Sequence, residues 1–299
     1  MSRLPCRSGR VTRGTRNSKK TGTASPETEV TNMTEIKQIT EAFPGAIGVT
    51  HLKVYDSPGP DGVAGGSPHM HFACSEAYLV IKGRGSVQTL SSAGFREIPL
   101  RAGSLVWFTP GLIHRLINED ARLEIFAVME NAGLPEHGDS VFTFPSKHLR
   151  DEDSYWQVAS LESGGSFLAD PREAARKRRD LAVEGFHILR AELEKGGSLQ
   201  VFYGQAVRLM RSKEPTWRGI WEAGAVQTVQ RTGTFLDQLN VGASDYLDEG
   251  AVFEVPVDPD REERRLGMCG TLRPYFPEGV LRVMPNERQN ANAKTQDQR

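Results

Sequence analysis

Between residues 46 and 129 apolar positions recur in short runs, each closed by Gly, Pro or Asn. The runs 46–54, 76–82, 85–91, 95–100, 104–109, 113–118 and 122–129 are rich in β-branched and aromatic residues and read as strands. Strands this closely spaced predict an antiparallel sandwich or barrel. Residues 56–68 are rich in Gly and Pro and read as a loop. After residue 146 the period changes. Asp170 is placed to cap a helix, Pro171 suits its first turn, and Glu173 can complete a capping box. Ala182, Phe186, Leu189 and Leu193 then follow on one helical face, and Gly196 with Gly197 ends the run. Residues 198–212 and 215–231 also predict helix, with Phe202, Ala206 and Leu209 on one stripe and Trp217 and Trp221 four apart as packing residues. The basic run Arg176, Lys177, Arg178 and Arg179 reads as a solvated helix face. Residues 250–285 are mixed and give no assignment. No internal repeat is present. The predicted organisation is a basic tail (1–32), a β-rich domain (40–145), a mainly helical region (146–285) and a polar C-terminal tail (286–299), α+β as a whole.

Composition narrows the class. The 299 residues are 38% apolar and 25% charged, with a net charge of −1. That is enough apolar content for a core and too little charge for a general attraction to nucleic acid or anionic membrane. Residues 1–32 carry seven Lys/Arg against two acids. This stretch is too polar to offset its ordering entropy and is expected to be disordered. Met33 falls where ordered patterning begins, so the tail reads as dispensable or untranslated; an organelle-targeting role is the alternative. Cys6, Cys74 and Cys269 are scattered, with no C-x-x-C pair, which fits a reducing compartment and a cytoplasmic protein.

Three of the seven histidines fall in one pattern: His69 and His71, then Glu76 and Gly83, and later Gly103, Pro110, Gly111, His114 and Asn118. In a strand, residues two apart share a face, so His69 and His71 can hold one cation together. Glu76 stands at an odd offset from His71. A turn or bulge through residues 72–75 would bring it onto a neighbouring strand facing the same interior. The turn at Pro110 and Gly111 presents His114 from a further strand. Three imidazoles and a carboxylate suit divalent Fe, Mn, Ni, Co or Zn. Tyr78 and Val80 share parity with Glu76, and Leu116 with His114. These three, with one of Trp107 or Phe108, are the expected pocket lining. It is apolar with little cationic character, which disfavours a sugar phosphate. Cys74 reads as a buried spectator, Asn118 as a strand-end hydrogen bonder, and His51, His137, His148 and His187 match no ligand spacing.

These motifs resemble those of the cupin superfamily. GGSPHMHFACSEAYLVIKG is similar to its first motif, with His69, His71, Glu76 and Gly83 in place and Val63 where the leading glycine is usual. GSLVWFTPGLIHRLIN is similar to the second, with Gly103, Gly111, His114 and Asn118 in place and the proline shifted by one to Pro110. The resemblance covers about residues 40–135. It implies an antiparallel jelly-roll barrel with one divalent transition metal inside, iron first, held by His69, His71, Glu76 and His114. It also implies pairing into a homodimer. The leading functional expectation is a dioxygenase acting on a small organic molecule, with Glu76 and His114 as catalytic residues and Glu76 as proton acceptor. A metal-dependent isomerase is the alternative, and a ligand-sensing barrel that is not an enzyme comes third. No membrane or nucleic-acid partner is expected. The helical region could pack on the barrel, form a dimer interface or cover the barrel mouth.

Overall fold

A computed structural model of the chain describes residues 43–163, 166–167, 169–255, 264–275 and 281–283. The tails 1–32 and 286–299 lie outside the described residues. The first nine strands are β1 (Gly48–Val54), β2 (His69–Met70), β3 (Glu76–Lys82), β4 (Arg84–Ser91), β5 (Gly94–Arg101), β6 (Leu105–Phe108), β7 (Ile113–Asn118), β8 (Glu124–Met129) and β9 (Val141–Phe142). Helix α1 (Glu152–Ala159) and a two-strand hairpin, β10 (Glu162–Ser163) with β11 (Ser166–Phe167), follow. Then come α2 (Pro171–Glu194), α3 (Gln200–Met210), α4 (Glu214–Trp221) and α5 (Gln227–Asn240). The last strands are β12 (Val252–Glu254), β13 (Arg265–Leu266), β14 (Gly270–Tyr275) and β15 (Leu281–Val283), of which β12 and β15 pair with each other.

Two antiparallel sheets face one another. One has the order β13-β14-β1-β8-β3-β6 and the other β5-β4-β7-β2-β9. Their inner faces enclose a core of Leu52, Tyr78, Val80, Val87, Leu100, Leu116, Leu123, Ile125 and others. Every residue of β7 is buried, although its side chains alternate between faces. His114, Leu116 and Asn118 turn into the sandwich. Ile113 turns the other way, into a second core. There Met70, Leu90, Ile113, Val141, Phe142 and Phe144 meet Ala182, Phe186, Phe202, Ala206, Leu209 and Trp217 from the helices. The helical region therefore packs on the outside of the five-stranded sheet.

Helix α2 begins as the sequence predicts. The Asp170 carboxylate accepts from the Glu173 backbone N–H. The reciprocal half of the capping box is not made, because the Glu173 side chain pairs with Arg176 and Lys177. The expectation of a solvated basic face fails for two of its four members. Arg178 and Arg179 are buried. Arg178 donates to the carbonyls of Ala159 and Gly267, and Arg179 to those of Ser57 and Pro58 and to the Ser57 hydroxyl. Guanidinium groups are buried here because they satisfy loop carbonyls that face away from water. Trp217 is buried, with its indole N–H donating to the His137 carbonyl, whereas Trp221 is 40% exposed. Part of the unassigned 250–285 segment returns to the sandwich: β14 pairs with β1 along its length. No helix among the described residues is long and apolar enough to cross a membrane.

Candidate metal centre

The two sheets meet chemically at one point. His69 on β2 is the direct cross-strand partner of His114 on β7, in the five-stranded sheet. Glu76 opens β3 in the other sheet. His71 follows β2, and the chain bends through residues 72–75 before β3 begins, which is the turn that the odd spacing requires. Asp139 shapes that bend. It is fully buried, and its carboxylate accepts from the backbone N–H groups of Phe72 and Ala73, both at 3.0 Å. Its role was missed because it lies 68 residues from His71 and belongs to no spacing pattern.

His69, His71, Glu76 and His114 are all buried, and each offers one ligand atom within 4.8 Å of the others. Their orientation is set from behind. Nδ1 of His69 donates to the Ser67 carbonyl, Nδ1 of His71 to that of Asp139 and Nδ1 of His114 to that of Leu112. This pattern puts the ring proton on Nδ1 and turns the Nε2 lone pairs inward, the second-shell arrangement of metal-bound imidazoles. Nε2 of His69 and Nε2 of His114 then face each other at 3.1 Å. The Glu76 Oε2 lies 3.2 Å from Nε2 of His114 and 3.4 Å from Nε2 of His71. Ligands held at roughly 2.0–2.2 Å from one ion lie about 3.0–3.5 Å apart. Nε2 of His71 is buried without a hydrogen-bond partner. Converging lone pairs, an orphaned buried nitrogen and a carboxylate are repulsive or unsatisfied alone and satisfied by a shared cation. The cluster thus suits a divalent metal.

Electrostatics agree. Burial, followed by the neighbouring His114 and His71, lowers the His69 pKa well below the ordinary value. Burial would also lower His71, but the Glu76 carboxylate beside it outweighs that, and the net direction is upward. Burial alone would raise Glu76; the His114 and His71 rings beside it instead hold it below the usual carboxylate range.

Around the cluster, Tyr78 is fully buried and its hydroxyl donates to Glu76 Oε2 at 3.3 Å. Val80 and Leu116 are buried in the sandwich core. Phe108 is the inward member of the 107–108 pair, with its ring centroid 4.2 Å from that of His114, while Trp107 is 71% exposed. Asn118 donates to the Val54 carbonyl and accepts from the Leu123 N–H. Cys74 is buried, and burial pushes its thiol pKa up. A cleft of about 360 Å³ opens between β5 and β6 and is lined by Val87, Thr89, Ile98, Val106, Phe108 and Leu112, among others. Tyr78, Val80 and Leu116 do not line it. Arg96 does, as one cationic side chain beside an otherwise uncharged lining. The β4–β5 hairpin could have revealed it, since Arg96 stands opposite Thr89.

A sandwich of two antiparallel sheets with this cluster between them defines the jelly-roll class. The family model described as Cupin matches residues 61–146, and the two sheets of that stretch fit the cupin fold. No curated protein matches the chain. Among solved structures, Pac13 of Streptomyces with uridine is 18% identical, with 26% of this chain and 57% of that chain covered at a TM-score of 0.22. KdgF from Halomonas sp. is 16% identical (22% and 57% covered, TM-score 0.20). CapF from Staphylococcus aureus is 17% identical (32% and 26% covered, TM-score 0.26). None of these likenesses bears on the activity of this chain.

Proposed function

We propose that this protein is a mononuclear metal-dependent cupin enzyme that oxidises a small organic molecule with dioxygen. The observation that carries the reading is the convergence of three Nε2 atoms and one carboxylate oxygen on a single buried point, with Nε2 of His71 lacking any other partner. His69, His71, Glu76 and His114 would hold the ion, with iron first among the candidates. A bound divalent ion supplies Lewis acidity and, where redox-active, an electron path between substrate and dioxygen.

The chain's own groups divide the remaining work. Glu76 is the one carboxylate of the cluster, and the role of proton acceptor toward a bound substrate is assigned to it on that placement. Tyr78 fixes the orientation of that carboxylate from the buried side. Phe108 and Tyr78 flank the His114 ring and keep water from it. The largely apolar cleft favours an organic molecule over a heavily hydroxylated one.

The test pairs elemental analysis of protein purified without added metal with oxygen-electrode assays of Fe-, Mn- and Ni-loaded protein on aromatic and aliphatic oxygenated compounds. One equivalent of metal and substrate-dependent oxygen uptake are expected. Turnover without oxygen consumption would replace oxidation by isomerase-type Lewis-acid chemistry. Failure of every metal to bind would overturn the enzymatic reading.

A further inference from the structure

We propose that Arg96 is a carboxylate-binding residue at the mouth of the metal centre, selecting an apolar or aromatic carboxylate small enough to occupy the cleft. This deepens the reading above and rests on it for the role of the centre.

The sandwich is open along one side. There the edge strand of one sheet, β5, and the edge strand of the other, β6, stand on either side of the cleft. Its inner end abuts two of the four ligand residues through strand register: Thr89 is paired with His114, and Phe108 with Glu76. Arg96 is the cross-strand partner of Thr89. Arg96, Thr89, His114 and His69 therefore form one unbroken row across β5, β4, β7 and β2. Partners in such a row turn to the same face. Leu100, two alternations further along β5, confirms which face this is, because it is buried in the sandwich core.

At a strand spacing of about 4.8 Å, the Arg96 backbone stands roughly 10 Å from that of His114. A guanidinium reaching inward across part of that distance leaves about the length of one ring or a short chain to the ligand atoms. Arg96 is the only ionic side chain lining the cleft. No ion pair or side-chain hydrogen bond engages its guanidinium among the described residues. Its neighbour Glu97 turns to the opposite face, toward Ser86 and Gln88. A planar fork of donors beside apolar walls, without a counter-ion, is matched by a carboxylate. The rest of the ligand would lie along Ile98, Val106 and Leu112.

The bland role for such a residue is to guard an edge strand with an inward charge. Calorimetric titration of the full chain separates the two. The probes are benzoate and 3-phenylpropanoate with their neutral amides, applied to wild type, Arg96→Gln and Arg96→Lys, each as purified and after chelator treatment. The expected result is at least tenfold tighter binding of the acids than of the amides in wild type. That preference should persist after chelation, vanish in Arg96→Gln and be partly retained in Arg96→Lys. A preference that disappears with the metal and survives Arg96→Gln would place the carboxylate on the ion and overturn the proposal. So would binding of no acid in the panel, or an Arg96→Gln variant changed only in its aggregation. Metal content is measured on the same samples, so failure of the metal reading is seen separately.

Discussion

Replacing Gly185 by alanine tests how the helical region is seated. Within an isolated helix the change would stabilise, since alanine is favoured over glycine by about 1 kcal/mol. The seating of α2 reverses the sign. A Cβ on Gly185 would lie 1.7 Å from the Thr143 carbonyl oxygen and 2.7 Å from the Phe144 carbonyl carbon. Both are backbone atoms, so helix and segment must part by more than an ångström. That loosens the cluster holding Phe144 and Phe186 and stretches the 2.8 Å bond from the Thr143 hydroxyl to the Ala182 carbonyl. Overpacking of this kind costs about 1–3 kcal/mol, sometimes more, and the weakened hydrogen bond adds about 1 kcal/mol. After the helix gain is subtracted, a net loss of roughly 1–3 kcal/mol lowers the melting midpoint by roughly 2–12 °C. Gly204→Ala is the control. It lies in α3 with nothing within 4 Å of the added carbon, so the same substitution should stabilise by about 0.5–1 kcal/mol. Calorimetric melts of the three proteins read both effects. A Gly185→Ala protein as stable as wild type would mean that α2 does not sit against residues 143–144.

Arg179→Met should destabilise by roughly 3 kcal/mol in urea unfolding, because the Ser57 and Pro58 carbonyls lose their donors; an unchanged midpoint would refute the clamp. His71→Ala should abolish stoichiometric metal binding measured by mass spectrometry, and chelation of wild type should lower its melting midpoint, since metal at about 100 times its Kd contributes about 2.7 kcal/mol. Burial alone would raise the Asp61 carboxyl, but the Arg115 guanidinium bound to it brings it down to about 2, from an ordinary 3.8. A depressed carboxylate stabilises the fold above its unfolded value, and that contribution is lost as pH falls through the folded one. Wild type should therefore lose more stability between pH 4 and pH 2 than Asp61→Asn, and parallel acid titrations followed by circular dichroism would show it.

Strands whose signal is local were legible in the sequence: 76–82 and 113–118 coincide with β3 and β7, and the remaining runs differ from their strands by two residues or fewer. The four-residue cluster was legible for the same reason, because alternation and turn placement carry it. What escaped depends on long-range satisfaction. β2 and β9 are two residues each, too short for any period, and exist only through pairing, β2 with β7 and β9 with β2. Arg178 and Arg179 look like solvent-facing charge until the loop carbonyls they serve are in view. Asp139 and Arg96 gain their meaning from partners on other strands. Helix continues through α5 to residue 240, beyond the predicted end at 231, because apolar residues persist there without a Gly–Gly stop.

The pairing of β14 with β1 also bears on how the nascent chain matures. More than 200 residues separate the two strands, and at about 5–20 residues per second the ribosome needs roughly 10–40 s to make them. Throughout that interval β1 presents an unpaired edge, and the interior position that Cys269 will fill beside Tyr78 is vacant. A chain cut short before residue 264 would be left permanently in that condition, prone to edge-to-edge association. β14 is thus a closing stitch for β1, and the six-stranded sheet is complete only once more than 200 further residues have followed its first strand.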